Sequence, residues 1–110
     1  MEISEEVIFK IIVYSGGARS DIFEAFQLCK NGQYAEAQTS LDSAKEQLQA
    51  AHKVQTDLIQ KEAAGDSTVV KLLMVHAQDH LMTCMLAKDI MANMMDMQKE
   101  IREIKNSLKL

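Results

Sequence analysis

A chain of 110 residues with 47% hydrophobic content has room for one domain with a modest core, residues 1–110, and not for two. Proline is absent, glycine occurs four times and aromatics make up 5%, which argues against a sheet rich in β-branched and aromatic residues and for long uninterrupted helices, an all-α protein. The net charge of −4 and pI near 5.3 weigh against nucleic acid or an anionic membrane as the main partner; with Glu2, Glu5 and Glu6 where a signal peptide would be basic, and no 18-residue uncharged apolar run, the expectation is a cytoplasmic protein without membrane insertion.

The first helix is predicted from about Ser4 to Lys30. Ser4 is its candidate cap, and Glu5 and Glu6 fall in the first turn, where negative charge suits the helix dipole. Its apolar seam reads Ile8, Ile11, Ser15, Ala18, Ile22, Ala25 or Phe26, and Cys29. Gly16-Gly17 at its centre either bends the helix, lets another backbone approach, or is a tolerated irregularity. Asn31-Gly32 then closes the helix in a short turn.

The second helix is predicted from about Tyr34 to Ala64, with Tyr34, Ala37, Leu41, Ala44, Leu48, Ala51, Gln55 and Leu58 alternating three and four in a coiled-coil-like stripe. Gly65-Asp66-Ser67 gives the next turn, with Asp66 or Ser67 as the cap of a third helix running from Thr68 to about Leu108. Two short connections imply antiparallel neighbours, hence an up-down-up three-helix bundle.

The third helix carries too much apolar surface for such a bundle alone. Between Val69 and Met97, 19 of 29 residues are hydrophobic, more than one face contacting two sibling helices can cover. Association of several chains through this helix follows as an expectation. Its predicted packing seam, Val69, Leu72, Leu86, Ile90, Met94, Met97, Ile101, Ile104 and Leu108, is interrupted by a polar group. At about 100° per residue, His76, Asp79, His80 and Thr83 share one sector of roughly 100° on that same face. Ionisable groups on a packing face are costly unless paired, metal-bound or used in chemistry.

From pattern alone, His76 reads as a satisfied core histidine, as half of a metal site with His80 at i+4, or as a nucleophile. Ala77 stands where metalloprotease chemistry needs glutamate. Asn31-Gly32-Gln33-Tyr34-Ala35-Glu36-Ala37 is similar to the turn of tetratricopeptide-like hairpins, so a non-catalytic helical adaptor is the alternative, although no 34-residue repeat follows. Gln78 points about 200° away from His76 and gets no catalytic role from geometry. Cys29 and Cys84 lack C-x-x-C or zinc spacing and read as inert core thiols. His52, without an acidic partner at i+3 or i+4, reads as partly exposed.

The run Val75-His76-Ala77-Gln78-Asp79-His80-Leu81-Met82-Thr83 resembles the active-site helix of the IIA proteins of the lactose and chitobiose (cellobiose) family of the bacterial sugar phosphotransferase system. Ser15-Gly16-Gly17-Ala18-Arg19-Ser20 and Ala51-His52-Lys53-Val54-Gln55-Thr56 match in the same order, and the likeness spans almost the whole chain. The resemblance implies a homotrimer packed through the third helix, in which His76 accepts a phosphoryl group from phospho-HPr and passes it to a cysteine of the cognate IIB protein. It further implies that Asp79 from three chains shares one divalent cation on the trimer axis; oxygen ligands favour a hard ion such as Mg²⁺. His80 is expected to orient the phosphoryl group and Thr83 to line the pocket. The transported sugar is not legible, because a IIA protein does not contact it.

Overall fold

The computed structural model describes residues 2–67 and 69–108. Three helices, α1 (Glu5–Lys30), α2 (Tyr34–Ala63) and α3 (Leu72–Ser107), lie side by side in a rod of 62 × 21 × 20 Å. Cross-links between them fix the directions. Ser43 and Gln47 of α2 both donate to Asp21 of α1 and Gln47 abuts Gly17, so α1 and α2 are antiparallel. Gly16 faces His80 and the Lys30 carbonyl accepts from Arg102, so α1 and α3 run parallel. The observed fold is therefore the expected all-α up-down-up arrangement.

Helix ends follow local chemistry at three of the junctions. Ser4 caps α1 by accepting from the Val7 amide at 3.3 Å. At the other end Gly32, at φ +80°, donates to the Cys29 carbonyl while Gln33 donates to that of Leu28, the paired bonds of a Schellman motif. Gly65, at φ +107°, closes α2 in the same way, donating to Glu62 while Asp66 donates to Lys61. A side chain at residue 32 would also collide with the Arg102 guanidinium.

The start of α3 departs from the expectation. Thr68, its predicted first residue, lies outside the described residues, and neither Asp66 nor Ser67 is its cap: the cap position is Lys71, with no side-chain cap bond. The physical reason is a tertiary one. Val69 forms an isolated parallel bridge with Glu2, and Lys71 is ion-paired with Glu2, so these contacts hold this stretch out of the helix until Leu72.

The seams of α1 and α2 are the core as read. Ile8, Ile11, Ser15, Ala18, Ile22, Ala25 and Cys29 of α1 are buried against Ala37, Leu41, Ala44, Leu48, Ala51 and Gln55 of α2. Helix α3 corrects the reading. Its inward face is Met74, Ala77, Leu81, Cys84, Met91 and Met95. The predicted packing seam is instead the outward face, with Leu86 60%, Ile90 49% and Met97 61% exposed. Both stripes have helical period, and only docking on α1 decides which faces in. Helix α1 packs on both other helices, whereas α2 and α3 meet over a much smaller area.

Candidate functional site

His76, Asp79, His80 and Thr83 share one outward stripe of α3, as the helical spacing requires. His76, Asp79 and Thr83 are exposed and His80 is half-buried, so within one chain the group does not suffer the burial expected of it. The two imidazoles lie nearly parallel, with 6° between planes and 6.2 Å between ring centres. Among the described residues no hydrogen-bond partner engages either nitrogen of His76. A nitrogen lone pair is therefore presented to anything that docks on this face.

His80 is more constrained. Its Nδ1 lies 3.9 Å from the Cys84 Sγ, and its Nε2 faces Gly16, where a Cβ would stand 3.7 Å away. Glycine at 16 thus leaves open the space beside His80. The next glycine serves packing, since a Cβ at 17 would overlap the Gln47 amide that is bonded to Asp21. Ser15, fully buried, has a hydroxyl with no hydrogen-bond partner. Burial pushes the Cys84 thiol above its ordinary value, with a smaller opposing pull from the positive charge of Arg19. A protonated Cys84 is a weak donor facing His80.

Thr83 turns its hydroxyl inward, donating to the carbonyls of Asp79 at 2.8 Å and His80 at 3.1 Å. This back-bonding leaves the oxygen a lone pair to accept with. The Asp79 carboxylate makes no ion pair or hydrogen bond among the described residues. No group of three or more histidine, cysteine, aspartate or glutamate side chains converges within the described part of one chain. Three carboxylates can meet only if a symmetry axis repeats Asp79.

Gln78 reaches the other way. Its Oε1 accepts from Gln55 Nε2, which also approaches the Met82 sulfur, so it joins α3 to α2 on a side away from His76. His52 is exposed, and Cys29 and Cys84 are both buried and free. Sequence reasoning gave no role to Arg19, which lines a cleft of about 250 Å³ with Phe23, Thr83, Cys84 and Ala87. The available signal was its place in the Gly16-Arg19 segment, three residues beyond the glycine that faces His80. No helix among the described residues is long and apolar enough to cross a membrane.

Comparison with known proteins agrees with this geometry. Residues 6–99 match the family described as "PTS system, Lactose/Cellobiose specific IIA subunit". The chain is 46% identical over 99 residues to the lichenan-specific phosphotransferase enzyme IIA component of Bacillus subtilis, covering 90% of each. Among solved structures it resembles the cellobiose-specific enzyme IIA of Bacillus anthracis, with TM-score 0.87 and 42% identity over 94% of each chain. It also resembles a chain in the IIA(Chitobiose)-HPr complex of Escherichia coli, with TM-score 0.78 and 38% identity over 89% of this chain and 95% of that one. A profile match across most of the chain, together with relatives this similar over nearly their whole length, places the protein in the lactose/cellobiose-specific IIA family of the sugar phosphotransferase system.

Proposed function

We propose that His76 is the residue on which this phosphocarrier holds its phosphoryl group between HPr and IIB. The observation that carries the assignment is the exposed, unpartnered imidazole of His76 on the outward stripe of α3, stacked above a half-buried His80. The unprotonated nitrogen of His76 attacks phosphorus while the nitrogen–phosphorus bond of the donor histidine breaks and its electron pair returns to the donor. In the second step a cysteine thiolate of IIB attacks the same phosphorus, and the electron pair of the broken bond returns to His76. Such transfers between nucleophiles on two proteins need positioning and charge stabilisation more than covalent help from the carrier.

A homotrimer through α3 is part of the same proposal. The support is the outward apolar stripe of Leu86, Ile90, Met94, Met97, Ile101 and Ile104, exposed along several turns. A three-fold axis along that stripe would bring three Asp79 carboxylates together, and their repulsion would require protonation or a shared cation. Asp79 would hold a hard divalent ion such as Mg²⁺ through carboxylate oxygens that have no other partner among the described residues. When bound, the ion would supply charge compensation at the axis. Relatives act on lichenan, cellobiose and diacetylchitobiose systems, and for this chain we infer a sugar of that β-linked oligosaccharide type.

The test is incubation of the full chain with phosphoenolpyruvate, enzyme I and HPr, followed by intact mass. One acid-labile phosphoryl group per chain is expected. Loss of labelling in His80→Ala with retention in His76→Ala would reverse the assignment.

A further inference from the structure

Arg19 is a cation without a carboxylate. Among the described residues it enters no ion pair; its guanidinium carbon rests 5.9 Å from the centre of the Phe23 ring, itself exposed. Other cations of the chain are likewise unpaired among the described residues, and what distinguishes Arg19 is the place it faces. It faces the cleft that it lines with Thr83, Cys84 and Ala87.

That cleft continues the histidine stripe. On α3, His80, Thr83 and Ala87 follow His76 at four, seven and eleven residues, which puts all four on one face. Across from them on α1, Gly16 stands at the level of His80, and Arg19 is one turn further on. The two helices are parallel, and helical side chains lean toward the N-terminus of their helix. Arg19 thus stands at the level of Thr83 with its guanidinium turned toward Phe23, and swinging it the other way carries it toward His80 and His76 past a glycine that puts no side chain in its path.

We propose that Arg19 is a phosphoryl-binding residue: when His76 is phosphorylated, the guanidinium leaves Phe23 and pairs with the phosphoryl oxygens across the cleft between α1 and α3. The proposal rests on the reading of His76 as the acceptor. Seven residues at 1.5 Å separate His76 from Thr83 along the axis, about 10 Å, a gap that an extended arginine and an outward-projecting phosphoryl group share. The planar guanidinium fork matches phosphate oxygens in pairs, and its charge does not titrate away. The need for it is local, because the incoming group adds negative charge one turn from Asp79 on an acidic protein. Resting on Phe23 costs the guanidinium little and keeps it from pairing with a surface carboxylate, so it is free to move.

The experiment compares wild type, Arg19→Gln and Arg19→Lys as full-length proteins, phosphorylated from phospho-HPr. Arg19→Gln should accept the phosphoryl group about tenfold to a hundredfold more slowly, the scale of losing one hydrogen bond to a charged group. The ³¹P resonance of its phosphohistidine should titrate at higher pH than in wild type, and Arg19→Lys should restore part of both. Wild-type rate and titration in a folded Arg19→Gln protein would overturn the proposal. A second readout needs no variant: the chain has two arginines, Arg19 and Arg102, and on phosphorylation the Nε–H resonance of Arg19 should move while that of Arg102 stays. An unmoved Arg19 signal also defeats the proposal. Labelling that persists in His76→Ala would instead overturn the acceptor assignment, so the two failures are told apart.

Discussion

His76 and His80 stand one turn apart on α3 with their rings 6° from parallel but in different surroundings: His80 is half-buried with its Nδ1 3.9 Å from the Cys84 Sγ, while His76 is exposed and has no hydrogen-bond partner among the described residues. Under the proposed assignment this asymmetry separates the attacking group from the group that steadies it. His76→Ala should abolish phosphoryl acceptance, and His80→Ala should slow it by about tenfold to a hundredfold, as for loss of a single donor to a charged group. Both variants should keep wild-type helicity, since neither ring belongs to the inward face of α3. Initial rates of labelling from phospho-HPr and far-ultraviolet circular dichroism together check this.

Assembly is predicted to depend on the outward stripe alone. Ile90→Asp with Met97→Asp places two unpaired charges on the proposed interface, which should weaken association by more than about 3 kcal/mol while the Met74, Ala77, Leu81 and Met91 face stays docked on α1. Sedimentation equilibrium should give a trimer for wild type and a helical monomer for the variant. A wild-type monomer at all concentrations would remove both the trimer and the axial role of Asp79.

Asp79→Leu should separate the metal from the nucleophile. On the proposed three-fold axis leucine would replace three converging carboxylates, so the variant trimer should melt higher than chelator-treated wild type, by an amount on the order of 1–4 kcal/mol, and be indifferent to chelator. Labelling of His76 should persist at reduced rate. Equal chelator sensitivity in both proteins would exclude Asp79 as the ligand.

Gly17 and Gln47 should be energetically coupled. Alanine at 17 gains about 0.5–1 kcal/mol of helix propensity but displaces the Gln47 amide from Asp21, which costs about as much. With Gln47→Ala already in place the displacement is gone, and Gly17→Ala should then stabilise. A double-mutant cycle by urea unfolding should return a coupling of about 1 kcal/mol; additivity would mean that Gln47 yields without loss.

The contact between Glu2 and Lys71 predicts the pH range over which the start of α3 is held. The hydrogen bond and charge of Lys71 hold the Glu2 carboxyl below its ordinary value of 4.5, so its contribution is fully present above 4.5 and lost as pH falls through the lower folded value. Lys71 is raised above 10.5 by Glu2, and its contribution is present below 10.5 and lost as pH rises through the higher folded value. Backbone chemical shifts of Val69 and Lys71 should be flat between these limits and move outside them. The effect should shrink in high salt, because both groups are on the surface.

What the sequence disclosed depended on whether one face or two competed for the core. In α1 and α2 one apolar stripe runs the length of the helix without a break, whereas the exposed Phe9, Val13 and Phe23 of α1 form no continuous second one, so Ile8 to Cys29 and Ala37 to Gln55 are legible directly. Helix α3 has two stripes of the same period, and periodicity ranks neither; the stripe through Leu86 and Ile90 has the pattern of a packing seam, and in the single chain it faces out. Turns were legible where glycine had to adopt positive φ, at Gly32 and Gly65. The first turn of α3 was not, because residues 69–71 are held by Glu2, nearly seventy residues away, over the preference of Asp66 and Ser67. The histidine stripe followed from spacing alone, whereas the placement of Gly16 and Arg19 beside it exists only once α1 and α3 are parallel. Local pattern does not contain that relationship.

Because α1 touches both other helices broadly while α2 and α3 scarcely meet, the protomer's cooperativity runs through α1. That pattern predicts that α3 opens before the α1–α2 hairpin does, so the histidine-bearing helix should be the less protected unit in amide exchange. Covering its outer face with neighbouring chains would raise that protection toward the hairpin's by mass action. The backbone that presents His76 would then be as rigid as the concentration of its own kind allows.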